Sequence, residues 1–407
     1  MLNTPLRFFV YLLIWLGTAA CNAQQKTTVL KDKIKVSAKF DEGSIGTLTE
    51  SPANFLTGQT RHWKHRTSSD DQYYWFYFKL DNVRDKAVTV KLQDLIGTYR
   101  GKPHLIYTQR TKPVFSYNNQ DWKRIDSVQY DTVHHTLLFS QTFTQASVWI
   151  AYAHPYPYSK EFAFINNLRK SQYLSVQKLG TSAESRPIQL ITITDLSVND
   201  SDKKVVFITT LQHAGEAVGG FFMEGMVNFL LSDEPAAEQA RKKMVFKIVP
   251  MMNPDGIFHG TTRFNNNMED LNQEWDDDYT DTMHAPTEPE VKAVKTWLRE
   301  YLKDGKRIDL GLDVHSQGQE GEINILHAPT DSLNRFVQKL NKYWPVEMIV
   351  LEFSGSLNDC LHKEFNILSG TFEIPQSNIN GGSYLTIEDY KVYGAGTVKG
   401  LVDYFKD

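Results

Sequence analysis

Short segments in which apolar and polar residues alternate, or β-branched residues crowd together, dominate the first third of the chain. They include residues 33–40 (KIKVSAKF), 73–80 (YYWFYFKL), 87–92 (AVTVKL) and 146–151 (ASVWIA). A period of two turns one face of an extended segment inward, so these read as strands. Turn chemistry such as Asn118-Asn119 separates them, and the spacing predicts an all-β sandwich over residues 25–155 rather than a barrel.

Past Pro155-Tyr156-Pro157-Tyr158 the pattern changes. Apolar runs at 204–210 (KVVFITT), 245–249 (VFKIV), 308–314 (IDLGLDV) and 371–374 (TFEI) alternate with stretches of helical period at 216–231, 290–302, 332–343 and 390–405. Strands alternating with helices predict an α/β unit over 156–407, a mixed and mostly parallel sheet flanked by helices.

The first residues carry a different pattern: an apolar run from Phe8 to Leu16, small residues from Gly17 to Ala20, then Cys21. The run is shorter than the roughly 18 residues a spanning helix needs, and residues 1–23 read as a signal peptide. Two cleavage readings stand: a lipoprotein box ending before Cys21, and an ordinary site after Ala23. The expectation is an exported protein, periplasmic or extracellular, free or membrane-anchored only through a lipid on Cys21. Only Cys360 lies beyond Cys21, so no disulfide framework exists.

Composition changes this picture little. The 44 Lys+Arg and 48 Asp+Glu residues leave a formal charge of -4, which gives no electrostatic reason to expect a nucleic-acid partner.

Candidate chemistry gathers where strands end. His213-x-x-Glu216 follows an apolar strand and opens a helical run, so an imidazole and a carboxylate can converge on one cation. His315 lies just past the end of another apolar strand, and in open α/β sheets ligands gather beyond the carboxyl ends of strands. Two nitrogens and one carboxylate leave the fourth position of a tetrahedral zinc open, which is the catalytic pattern. An acid on the late strand at 371–374, Glu373, supplies a candidate base. The loop-rich segment after Pro250 offers Arg263 and Asn272 for anion recognition.

Other features read as structure. Residues 73–78 are the two faces of one sandwich strand, His134-His135 alternate between solvent and core, and Asp276 to Asp278 form a solvated charge run. No G-x-S-x-G elbow or phosphate loop is present.

In order along the chain, His213-x-x-Glu216, Asn253-Pro254-Asp255-Gly256, Arg263, Asp270-x-Asn272, Glu288-Pro289-Glu290, Asp313-x-His315 and Thr371-x-Glu373 resemble the zinc carboxypeptidases of the M14 family over about 180–400. Residues 71–78, 112–115 and 151–156 look like the β-sandwich that precedes the catalytic domain in that family's cytosolic-carboxypeptidase branch. The resemblance implies one Zn2+ per chain on His213, Glu216 and His315, with Glu373 as general base and later proton donor. Arg263 would polarise the scissile carbonyl and stabilise the oxyanion of a peptide or protein substrate. Asn272 matches the first member of the Asn-Arg pair that holds the substrate's terminal carboxylate, while Gln273 stands where the arginine belongs.

A neutral amide lacks the bidentate, charge-assisted grip of a guanidinium, a difference of about 1.5 to 3 kcal/mol. Either a basic residue elsewhere compensates, or the protein is an amidase or endopeptidase acting on substrates without a free C-terminal carboxylate. A non-catalytic binding module on the same scaffold is the third reading. The family's closing tyrosine has no position fixed by spacing, Tyr343 and Tyr384 being the choices.

Overall fold

Successive residues of the strand Lys204–Thr210 point to opposite faces of the large sheet in the computed structural model, which describes residues 33–276 and 288–406. Val206 and Ile208 enter one apolar cluster with the helices Val218–Leu230 and Ile387–Tyr404. Val205 and Phe207 enter another with Pro289–Lys303 and Leu357–Lys363. A strand covered on both faces reads as a continuous apolar run. Each large side chain buried in this way contributes about 1.5 to 3 kcal/mol.

The sheet has eight strands, in the order Leu174–Thr181, Pro187–Ile193, Met244–Val249, Lys204–Thr210, Leu310–His315, Ser369–Glu373, Ile325–Ala328 and Glu347–Val350. The four from Met244–Val249 to Ser369–Glu373 run parallel. The register pairs His315 with Glu373, so two candidate site residues end adjacent strands on the same edge. His315 is thus the last residue of its strand rather than one beyond it. The helix expected from 332 is shorter: Asp331–Leu333 is a 3-10 turn and the α-helix spans Asn334–Leu340.

Upstream, two five-stranded sheets contain Tyr77–Asp81 with Ser147–Ala151, and Lys86–Gln93 with Thr136–Phe143. Their inner faces meet through aromatic pairs. Phe115 packs edge-on against Phe143 at 5.8 Å, and Phe76 stacks on Phe139 at 6.2 Å.

The aromatic run at 73–78 departs from its expected form. Tyr73 to Phe76 lie between the strands Asp71–Gln72 and Tyr77–Asp81, and every residue of the run is buried. Alternation fails because neither side meets water: the α/β half covers what a free sandwich would expose. Trp75 N donates to Thr262 Oγ1 at 3.3 Å, and Gln319 N donates to the Tyr152 hydroxyl at 2.8 Å. Arg124 Nη2 donates to the carbonyls of Gln376 and Leu385, each at 3.2 Å. His134-His135 sit in a turn, where His134 Nδ1 lies 2.7 Å from Asp131 Oδ2. Asp277 and Asp278 of the charge run, like residues 1–23, lie outside the described residues.

Glu161, in the helix Tyr158–Leu168, is buried, and burial pushes its carboxyl up to about 8 from an ordinary 4.5. A raised folded pKa means that its contribution to stability is fully present below about pH 4.5 and is lost as pH rises through 8. Glu161→Gln removes the ionisation. We expect its urea-unfolding free energy to match wild type at pH 4.5 and to exceed it by about 2 to 4 kcal/mol at pH 9, by linkage. A constant difference across that range contradicts the assignment.

Candidate metal centre and cleft

Three positions on the carboxyl edge of the parallel sheet bring His213, Glu216 and His315 together. After the strand Lys204–Thr210, Leu211 adopts a left-handed φ of 60°, a conformation costing an L-residue about 1 to 2 kcal/mol, and turns the chain into the segment at 212–217. Gly215 must be glycine: a Cβ there would lie 2.8 Å from the Thr262 carbonyl and 3.0 Å from the Tyr74 ring. Glu216 lies in this turn, with Ala217 capping the helix that begins at Val218, rather than on the helix itself.

The ligand atoms of these three buried side chains all lie within 4.8 Å of one another. His213 Nδ1 is 2.8 Å from Glu216 Oε1, His315 Nδ1 is 2.9 Å from Glu216 Oε2, and the two Nδ1 atoms are 3.0 Å apart. Each Nε2 faces a second carboxylate, Asp270 Oδ1 at 3.1 Å for His213 and Asp313 Oδ2 at 2.8 Å for His315. Both nitrogens of each ring thus face carboxylates; a cation between the two Nδ1 atoms and Glu216 would take the Nδ1 lone pairs and leave the ring protons on Nε2, where Asp270 and Asp313 accept them. Two imidazole nitrogens and one carboxylate converging in a buried site fit a divalent transition-metal ion.

The orienting acids are themselves held. Asp313 also accepts from Thr209 Oγ1 and Gln212 Nε2, each at 2.6 Å. Asp270 also accepts from Asn272 N at 3.1 Å, and from Arg263 Nε and Gln273 Nε2, each at 2.6 Å. Burial alone would raise Asp270, but Arg263 and His213 hold it well below the ordinary carboxylate range. Burial would likewise raise Glu216, which the two imidazoles hold well down.

Of the residues expected in the site, His213, Glu216, His315, Arg263, Asn272 and Glu373 line one cleft of about 200 Å3. Gln273 is not among its lining residues, and its amide is turned to Asp270. The Asn272 side-chain oxygen accepts from Leu357 N at 3.0 Å. Burial pushes the Glu373 carboxyl up to about 7, against the lowering influence of His315. Neither tyrosine considered for closing the site lines the cleft: the Tyr343 hydroxyl donates to Asp403 at 2.9 Å, and that of Tyr384 to the Arg110 carbonyl at 2.7 Å.

The sandwich contributes a wall that sequence reading missed: Tyr74, Tyr99, Arg100, His104 and Ile106. Arg263 Nη2 donates to the Tyr99 hydroxyl at 3.3 Å, and the guanidinium lies 4.7 Å from the Tyr99 ring centre. Burial and the Arg263 charge push His104 down to about 4. Nothing local in the sequence marks these residues. Asp270 and Asp313 do carry a local signal, each being an acid within two residues of a site side chain.

Residues 162–333 match the zinc carboxypeptidase family, and residues 36–153 match the cytosolic carboxypeptidase N-terminal domain. The mouse protein named cytosolic carboxypeptidase 6 is 30% identical over 260 residues, covering 60% of this chain and 46% of its own length. Its human counterpart is 29% identical over 322 residues, covering 74% and 60%. The chain thus spans about half of the length of the relatives it matches. Among solved structures, a metallo-carboxypeptidase from Burkholderia cenocepacia superposes with a TM-score of 0.77 at 22% identity, over 92% of this chain and 99% of that one. One from Pseudomonas aeruginosa, in complex with (2-guanidinoethylmercapto)succinic acid, gives 0.74 at 23% identity, over 91% and 99%. At these identities the two structures establish the fold.

These comparisons overturn the expectation of export. Both the N-terminal domain and the relatives are named for cytosolic carboxypeptidases, not for periplasmic, extracellular or secreted proteins. The export reading rested on nine apolar residues bounded by small ones, a short compositional pattern carrying far less information than two domain-length matches. Residues 1–23, with Cys21, precede both matched segments and lie outside the described residues. No helix among the described residues is long and apolar enough to cross a membrane.

Proposed function

We propose that the chain, whose residues 162–333 match the zinc carboxypeptidase family and 36–153 the cytosolic carboxypeptidase N-terminal domain, is a zinc-dependent metallocarboxypeptidase hydrolysing the C-terminal bonds of a peptide or protein substrate. The observation that carries this reading is the convergence of two inward Nδ1 atoms and the Glu216 carboxylate within one cleft that also holds Glu373 and Arg263. The reading divides the chain into a sandwich at 25–155 and a catalytic portion at 156–407.

His213, Glu216 and His315 would hold one Zn2+. When bound, the ion supplies a Lewis acid that polarises a carbonyl and makes water acidic. The chain's own groups do the rest. Glu373, with a carboxyl near neutrality, accepts the proton of the attacking water and returns it to the leaving amine. Arg263, anchored through Nε to Asp270, offers N–H groups to the oxyanion as charge develops there. Asn272 shares in holding the terminal carboxylate.

Gln273 supports a second reading. Its neutral amide, already bonded to Asp270, suits an amidase or endopeptidase whose substrate has no free carboxylate at that place. A mass-spectrometric time course on one neutral peptide separates the two. Products shortened by one residue at a time from the C-terminus are expected, whereas internal fragments contradict the exopeptidase reading.

A further inference from the structure

A carboxylate drawn from water into a cleft needs a counter-charge, and at position 273, where the family motif places it, there is an amide. Gln273 is turned away to Asp270 and does not line the cleft. Two guanidinium groups do line it, those of Arg263 and Arg100. The Arg263 charge is matched by Asp270 at 2.6 Å. The imidazole of His104, pushed down to about 4, is neutral near pH 7.

Arg100 differs from both. Its exposed side chain forms no ion pair with any described residue, and its guanidinium carbon lies 5.4 Å from the Tyr99 ring centre and 5.9 Å from that of Phe353. One ring belongs to the sandwich and the other to the loop before the helix Leu357–Lys363, so the cation is bracketed by aromatic surface from both walls. Phe353 and Ser356 of that loop line the cleft, and the loop leads directly to Leu357, whose N–H is bonded to Asn272. The carboxyl of Glu320, on the opposite loop after His315, is under the influence of Arg110 rather than Arg100.

The backbone that delivers Arg100 is specified tightly. Strands Gly97–Tyr99 and Lys102–His104 pair Tyr99 with Lys102, leaving Arg100 and Gly101 as a two-residue turn with φ of 51° and 71°. Positive φ at both positions defines a turn that favours Asn-Gly or Gly-Gly. An arginine at its first position is costly, and the Arg100 N–H is held there by Asp70 Oδ1 at 2.7 Å.

Resting on the carboxypeptidase reading, we propose that Arg100, carried into the cleft by this turn of the sandwich, receives the terminal carboxylate of the substrate in place of the guanidinium absent at position 273. The sandwich thereby becomes part of the specificity site, and the grip on the C-terminus comes from the N-terminal domain.

The test compares zinc-loaded wild type, Arg100→Ala and Arg100→Gly on a neutral peptide supplied as the free acid and as the C-terminal amide. Glycine suits the left-handed φ, so Arg100→Gly removes the charge without straining the turn. Both variants are expected to raise KM for the free acid about 10- to 100-fold with kcat nearly unchanged. In parallel, calorimetry measures binding of a hydrolysis-resistant form of the same peptide, its scissile nitrogen replaced by methylene, again as acid and amide. Wild type is expected to prefer the acid and the variants to lose that preference. If no variant turns over either peptide and neither does wild type, the proposed function fails while binding still decides on Arg100. Equal acid and amide binding by wild type, an unchanged preference in the variants, or an effect confined to peptides with acidic side chains overturns the proposal.

Discussion

Glu373→Gln is expected to lower turnover by about 100-fold or more while the protein keeps its fold and its metal, because on the proposed function the change removes the proton acceptor and leaves the side-chain shape. Glu373 ends the strand Ser369–Glu373, which lies inside the eight-stranded sheet between Leu310–His315 and Ile325–Ala328, so its backbone is fixed from both sides. The side chain faces the cleft beside His213, Glu216 and His315. Burial lifts its carboxyl to about 7, where a group can both take and return a proton near neutral pH. Glutamine keeps the shape and can still hydrogen-bond, but accepts no proton. Steady-state kinetics beside metal analysis checks this: a large loss of kcat with full metal content is expected. Retained turnover removes Glu373 from the base role.

Glu216→Ala is expected to have the other large effect. The carboxylate spans both imidazoles, at 2.8 Å from His213 Nδ1 and 2.9 Å from His315 Nδ1, and also accepts from Ser316 N at 3.1 Å. Its removal takes away the anionic member of the proposed ligand set and leaves two imidazoles where three ligands are needed. Loss of an outer-shell partner alone typically costs about 10- to 100-fold in metal affinity, and loss of a ligand exceeds that. Elemental analysis after gel filtration is expected to fall from about one zinc per chain to a small fraction, with turnover lost in parallel. Full zinc retention in this variant contradicts the ligand set.

Much of this site is legible in the amino-acid sequence. The strands that deliver His213, His315 and Glu373 are apolar runs because both faces of the central sheet are covered, and runs of that kind are visible in sequence. His213-x-x-Glu216 can be read because a short turn brings its two side chains to one point. Pairing of His315 with Glu373 needs the register of two strands that are 54 or more residues apart along the chain, where local pattern has no reach.

The sandwich wall is illegible for the same reason. Tyr74 sits in a run whose uniform burial comes from the other half of the chain, so its pattern imitates a strand with two faces. Arg100 occupies a surface turn, and only the approach of Phe353, some 250 positions away, makes it a cleft residue. Gln273 stands out in sequence as a departure, but its hydrogen bond to Asp270 depends on how the 3-10 turn Leu271–Gln273 folds back. The expectation of export rested on apolar length and small residues, which are compositional, and the domain-length similarity to proteins named cytosolic carboxypeptidases speaks against it.

On the proposed function, a zinc held by His213, Glu216 and His315 drives removal of C-terminal residues. The most direct test measures the cleavage rate of one neutral peptide, as free acid and as amide, by metal-depleted protein before and after addition of one equivalent of zinc. No cleavage without metal, and zinc-restored trimming of the free acid alone, are expected. Cleavage that persists without metal, or that proceeds equally on the amide, contradicts that function.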